Sequence, residues 1–195
     1  MFLLIVSTIW IYLLTIFKRK KLDFFYFLIG SVGFFMIILI GFRQYCFPFM
    51  INITTEIMNG IGKLTKLWIG YKDYGIIFIA NQSSTISLNI DYECSGFIEC
   101  LVYLSLVFFY PLFSLLDRVK YSIIGILYIL FANILRLSII SITIHFFGND
   151  VYYIAHSVIG RIIFFILILI LYFYIFTRTQ ILKQKVGNFN YDKEK

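Results

Sequence analysis

Long apolar runs separated by short charged breaks organise this chain. Residues 1–17 are almost wholly apolar and stop at Lys18, Arg19, Lys20 and Lys21, and residues 24–42 form a second run closed by Arg43. A third run, 96–116, meets Asp117, Arg118 and Lys120; a fourth occupies 121–147, and a fifth, 156–177, meets Arg178. A helix needs about 20 apolar residues, with a lower limit near 17, to cross the hydrocarbon core of a bilayer. Each run meets that requirement, so five membrane-crossing helices are expected. The fourth is longer than a bilayer demands and must tilt or project at one end.

Between 44 and 93 hydropathy falls, and this stretch reads as an external loop with structure of its own. Its first part, 50–68, spaces Ile51, Ile53, Ile57, Met58, Ile61 and Leu64 as an amphipathic helix on or dipping into the membrane face would. In its second part, 74–90, short apolar stretches flank Asn81, Gln82, Ser83 and Ser84. That pattern predicts two short strands around a polar turn, a small hairpin over one face of the bundle. The fold class that follows is all-α, a multi-pass integral membrane helical bundle of about five transmembrane helices with a small external loop region. One transmembrane domain covers 1–178, and 179–195 is a basic cytoplasmic tail.

Composition excludes an ordinary soluble domain, since the chain is 61% hydrophobic, 21% aromatic and only 14% charged. The formal net charge is +7, but the cations cluster beside apolar runs instead of forming one basic face. They are topology signals, and a nucleic-acid partner is not expected. The positive-inside rule puts the 18–21 cluster, the 117–120 turn and the tail in the cytoplasm of a chain embedded in the lipid of the cell membrane. The N-terminus is then outside and the C-terminus inside. Because the charges follow the first apolar run, a retained anchor is expected and not a cleaved signal peptide. Cysteines at 46, 94 and 100 are odd in number and form no CxxC pair, which argues against a disulfide framework.

On this topology Cys94 and His156 open the third and fifth spans at one external face. Arg136 stands eleven residues before Phe147, roughly 16 Å along the helix axis. The fourth helix is overlong and an arginine side chain snorkels, so the three heads can meet in one cavity opening outward. An arginine inside an apolar helix costs about 2.5–3.5 kcal/mol on insertion scales, so it faces protein or water and has a function. At about 100° per residue, Asn133 lies roughly 60° from Arg136 and Thr143 roughly 20°, with His145 opposite. Asn133 and Thr143 are therefore candidate supports, and His145 is not. Thiol, imidazole and guanidinium together suit acyl transfer. A thiolate attacks a carbonyl, an imidazole carries the proton to the leaving amine, and a guanidinium stabilises the oxyanion. A cation nearby also favours the thiolate. Asp150 is the one evident acidic candidate partner for His156.

Glu93-Cys94-Ser95-Gly96, then Asn133-Ile134-Leu135-Arg136 in a later span, then Ala155-His156 opening the next, resembles the exosortase and archaeosortase family of multipass transpeptidases. It looks most like the short Gram-positive exosortase G branch, and the resemblance covers residues 91–177. It implies that Cys94 is the nucleophile, Arg136 the anion-stabilising group and His156 the general acid/base, with Ser95, Gly96 and Asn133 in support. It also implies secreted protein substrates whose C-terminal sorting signal comprises a short motif, one transmembrane helix and a basic tail. Such an enzyme cuts near the motif at the outer membrane face and passes the new C-terminus to a cell-surface acceptor. This chain has fewer spans than larger members and no extra periplasmic domain, which leaves substrate and acceptor open.

A competing reading is a small multi-pass transporter, with Glu99 and Arg136 as pathway charges, or a scaffold subunit of a cell-surface polysaccharide system. Cys94 would then be dispensable. Glu99 and Arg161 are both costly in lipid and suit a mutual ion pair, while Cys100 reads as a packed thiol. No metal, nucleotide or flavin cofactor is expected, because no ligand cluster and no phosphate-cradling glycine loop is visible.

Overall fold

The computed structural model describes residues 2–80, 85–92 and 94–183. Helix α1 (Phe2–Arg19) turns back into α2 (Asp23–Thr65), and the pair is pinned where Trp10 donates its indole N–H to Ile29 O at 2.8 Å. The helix of the expected second span does not stop at Arg43. Helix α2 runs 43 residues, through Pro48, to a left-handed C-cap at Lys66. Proline removes one backbone donor, yet the amphipathic stripe expected at 50–68 continues the same rod. Its Thr54, Thr55, Met58 and Gly62 are buried. At about 1.5 Å per residue the rod spans roughly 65 Å, twice the ~30 Å hydrocarbon core, so much of it projects from the membrane.

The chain is not all-α. Strands β1 (Trp68–Tyr71), β2 (Ile76–Ala80) and β3 (Thr85–Asn89) form an antiparallel sheet in that order. Strands β2 and β3 are the expected hairpin, with Ile79 opposite Ile86; its polar turn, Asn81 to Ser84, lies outside the described residues. Strand β1 was hidden in the sequence, because its Trp68-Ile-Gly-Tyr71 follows directly on the helix and pairs with residues eleven positions away at Ile79. Alternation along the strands turns Ile77, Ile79, Ile86 and Leu88 inward. They pack with Met58 of α2 and with Leu137, Ile140 and Ile144 of the later long helix, forming a cap core.

Helix α3 (Phe97–Phe109) is shorter than the expected third span, with 13 residues. That is about 20 Å, too little to cross a bilayer alone. The chain turns at Pro111, and α4 (Leu115–Phe147) starts earlier than expected, under a capping box. Ser114 Oγ accepts from the Asp117 amide at 3.2 Å, and the Asp117 carboxylate accepts from the Ser114 amide at 3.2 Å. Asp117, Arg118 and Lys120 therefore sit in the first turns of α4 and not in the connection. The last rod is α5 (Tyr152–Ile154), a π-helical turn (Ala155–Ile159), α6 (Gly160–Tyr172), a second π-helical turn (Phe173–Thr177) and α7 (Arg178–Lys183).

Among the described residues, three stretches are long and apolar enough to cross a membrane: Asp23–Thr65, Leu115–Phe147 and Asn149–Ile181. Below the cap, Cys100, Tyr103 and Val107 of α3, Ile129 and Ala132 of α4, and Phe164 and Leu171 of α6 make a second, bundle core. The two cores meet on α4 between Ala132 and Leu137. At the far end of the bundle, Asp23, Tyr110, Pro111 and Gln180 border one cavity, which gathers the start of α2, the α3–α4 turn and α7. Of the basic tail, residues 184–195 lie outside the described residues.

Candidate active site

Strand β3 leads within five residues to Cys94, and the loop between is tightly tied. The Cys94 amide donates to Asp91 O at 3.0 Å. Ser95 Oγ donates to Tyr92 O at 3.1 Å and accepts from the Phe97 amide at 3.3 Å, so it also satisfies the first N–H of α3. Gly96 then enters the left-handed region at φ +72°, which only glycine takes without strain, and turns the chain into the helix. The ring of Tyr92 stacks on Phe47 at 3.7 Å, and Arg43 both lies over that ring at 4.1 Å and donates to its hydroxyl. Those contacts fasten the Cys94 loop to α2.

Two elements, α4 and the first π-helical turn, converge on the Cys94 sulfur. His156 Nε2 lies 2.9 Å from Sγ, and Arg136 Nη2 donates to Sγ at 3.0 Å. Asn133 Nδ2 donates to the Cys94 carbonyl at 2.8 Å. Asn133 and Arg136 are three apart on α4, so they share one face. They lie on the buried face of α4 at the junction of the two cores. Cys94 is 1% exposed and Arg136 4%. Such burial in a low-dielectric seam strengthens every polar contact and makes each one costly to lose. The Arg136 guanidinium also stands over the Phe164 ring at 5.1 Å.

His156 sits in the first π-helical turn, a device that reorients side chains at functional sites. Its ring lies parallel to that of Tyr152, 2° apart in plane with centroids at 5.9 Å. Gly160 lets this rod approach α4, since a Cβ there would come within 2.6 Å of Ile140 Cδ1. The arrangement can hold a thiolate, because the sulfur has a guanidinium donor, an imidazole and the N-terminal end of α3 around it.

Other expected participants fall elsewhere. The Thr143 hydroxyl donates to Ile139 O within its own helix at 2.8 Å, so it does not join the cluster. His145 Nδ1 meets the Ala80 carbonyl at the end of β2, away from the sulfur as the helical wheel requires. Asp150 is exposed in the turn before α5. Cys100 packs in the bundle core, and no disulfide joins the cysteines. Glu99 and Arg161 line, with Arg136, a cavity of about 580 Å³ between α3 and α6. Tyr152, Tyr92 and Phe164 escaped the sequence reading. Only Tyr152, four residues before His156 and hence one helical turn away, carried a local signal.

The model of the transmembrane exosortase family (Exosortase_EpsH) matches residues 1–174. Comparison with curated proteins and with solved structures yields no match. Because the family match runs from the first helix through α6 and so includes every element that reaches the Cys94 sulfur, the chain belongs to the transmembrane exosortase family.

Proposed function

We propose that this chain is a membrane-embedded cysteine transpeptidase, akin to the short Gram-positive exosortase G branch. It cleaves the C-terminal sorting signal of secreted proteins at the outer membrane face and transfers them to a cell-surface acceptor. The observation that carries the reading is the sulfur of Cys94, within 3.0 Å of both Arg136 Nη2 and His156 Nε2. Cys94 gives its proton to His156 and attacks the scissile carbonyl. Arg136 first steadies the thiolate and then the tetrahedral oxyanion. Collapse breaks the C–N bond, His156 protonates the departing amine of the sorting signal, and a thioester remains on Cys94. His156 next takes the proton of the incoming nucleophile, which expels the thiolate and carries off the acyl group. Asn133, Ser95 and Gly96 act as positioning residues that fix the backbone carrying the sulfur.

Orientation follows from charge. Lys18 to Lys21, Arg118, Lys120, Arg178 and Lys183 belong to helix ends remote from Cys94, which supports a cytoplasmic location for that end and an external one for the site. A transport role has less support, since Arg136 directs a donor at a thiol. The test is co-expression with a secreted protein bearing a motif, a transmembrane helix and a basic tail. Wild type removes the tail, while Cys94→Ala, Arg136→Ala and His156→Ala, at equal membrane levels, do not. Equal tail removal by Cys94→Ala overturns the assignment.

A further inference from the structure

The two edges of the sheet are treated differently. Strand β1 is covered by α2. The Gly70 amide donates to Asn59 Oδ1 at 3.3 Å, Trp68 donates its indole N–H to Met58 O at 2.8 Å, and a Cβ on Gly70 would come 3.0 Å from Thr55 O. Strand β3 has no such cover among the described residues. Among the described residues, no backbone hydrogen bond leaves Thr85–Asn89 for any element but β2. A strand edge left open is normally defended by lysine, proline or a bulge, because its unpaired amides and carbonyls recruit another strand. Thr85-Ile-Ser-Leu-Asn89 carries neither charge nor proline, and its outward residues, Thr85, Ser87 and Asn89, are small and polar. Beside this edge lies a groove lined by Thr85, Ile86, Ser87, Asn149 and Tyr152.

The groove is linked to the reactive cluster in two ways. Tyr152, which forms its wall, lies parallel to the His156 ring. The strand itself runs on through Ile90 and Asp91 into the Cys94 loop, so a chain laid along β3 is delivered towards the sulfur. The sheet belongs to the cap, on the side of the cluster away from the apolar bundle. In a substrate whose transmembrane helix follows the cut, the part that precedes the cut lies on that side.

We propose that the open edge of β3 binds the substrate segment preceding the scissile bond, which adds to the sheet as a fourth, extended strand; this rests on the transpeptidase reading above. Main-chain hydrogen bonds to β3 supply sequence-independent affinity, as in other strand-addition complexes. Side chains at every second position of the segment face the groove, where Ser87, Asn149 and Tyr152 select small or polar groups over bulky ones. Strand pairing also holds the scissile peptide extended, the form in which its carbonyl is open to attack.

The test uses the full chain co-expressed with a tail-bearing substrate. In a Cys46→Ser, Cys94→Ala, Cys100→Ser enzyme carrying Ser87→Cys, single cysteines are walked through the substrate residues before the cut and oxidised. Disulfides at positions two apart, with the intervening ones weak, are expected. Disulfides with no alternation, their absence, or capture of the same positions by Ile162→Cys in the α3–α6 cavity overturns the proposal. In active enzyme, Ser87→Trp should lower kcat/KM for tail removal about tenfold or more by blocking the groove, with the rate of Cys94 alkylation unchanged. Activity within twofold of wild type also overturns it. Failure of the transpeptidase reading is separately visible, because Cys94→Ala would then still remove the tail.

Discussion

Replacing Arg136 with lysine keeps the charge and removes the fork. In the wild type, Nη2 donates to the sulfur at 3.0 Å while the guanidinium plane stays over Phe164 at 5.1 Å. A compact ammonium, which reaches less far than the guanidinium Nη atoms and has no planar fork, cannot make both contacts from the same Cα. A hydrogen bond to a charged group contributes about 1.5–3 kcal/mol. At about 1.4 kcal/mol per factor of ten, its loss from the thiolate corresponds to roughly 10- to 150-fold in rate. The cation–π contact, about 0.5–2 kcal/mol, acts alike on the resting enzyme and the transition state, so it belongs to stability and not to rate. The assay is alkylation of Cys94 by iodoacetamide at neutral pH in a Cys46→Ser, Cys100→Ser background, run beside single-turnover tail release. Both rates should fall within that range for Arg136→Lys. If both stay within twofold of wild type, charge alone suffices and the directed donor has no catalytic role.

Three further outcomes are expected. Asn133→Ala leaves the Cys94 carbonyl buried without its donor, which should cost about 1–3 kcal/mol; unfolding in detergent reports it as a lower midpoint, and an unchanged midpoint would contradict the bond to Asn133 Nδ2. Gly160→Val drives a side chain into Ile140 Cδ1, 2.6 Å from the added Cβ, and should move His156 off the sulfur, cutting tail release more than about tenfold; Ile140→Ala should restore part of it, and no rescue would sink the steric account. Ser87→Cys in a Cys46→Ser, Cys94→Ala, Cys100→Ser background should react with a membrane-impermeant maleimide on intact cells. Labelling of residue 87 only after permeabilisation would reverse the orientation.

Some misread boundaries had local signals in plain view. Ser114-Leu-Leu-Asp117 is a capping-box pattern behind Pro111, and it starts α4 where the structure does. Hydropathy alone ran the third span through to 116. The continuation of α2 past Arg43 was half legible. The amphipathic spacing from Ile51 to Leu64 predicts a helix, but a falling hydropathy cannot say whether that helix lies flat or prolongs the one before it. Contact of Met58 with the strands and with α4 decides this.

What the residues alone determined is whatever depends on near neighbours. Hydropathy and charge position establish a membrane protein of apolar helices, and short apolar stretches around a polar turn point to the β2–β3 hairpin. Residue chemistry with a familiar motif singles out Cys94, Arg136, His156 and Asn133. Tertiary structure decided what depends on partners distant in the chain. The sulfur meets an arginine 42 residues away and a histidine 62 away. Only the packing of α4 between the cap and bundle cores, and the small size of Gly160 against Ile140, bring them within reach. Only the tertiary structure likewise shows that α2 covers the β1 edge of the sheet and that, among the described residues, β3 is left at the other. Such pairings reflect which surfaces exclude water and lipid together, and no local window of sequence contains both halves of them.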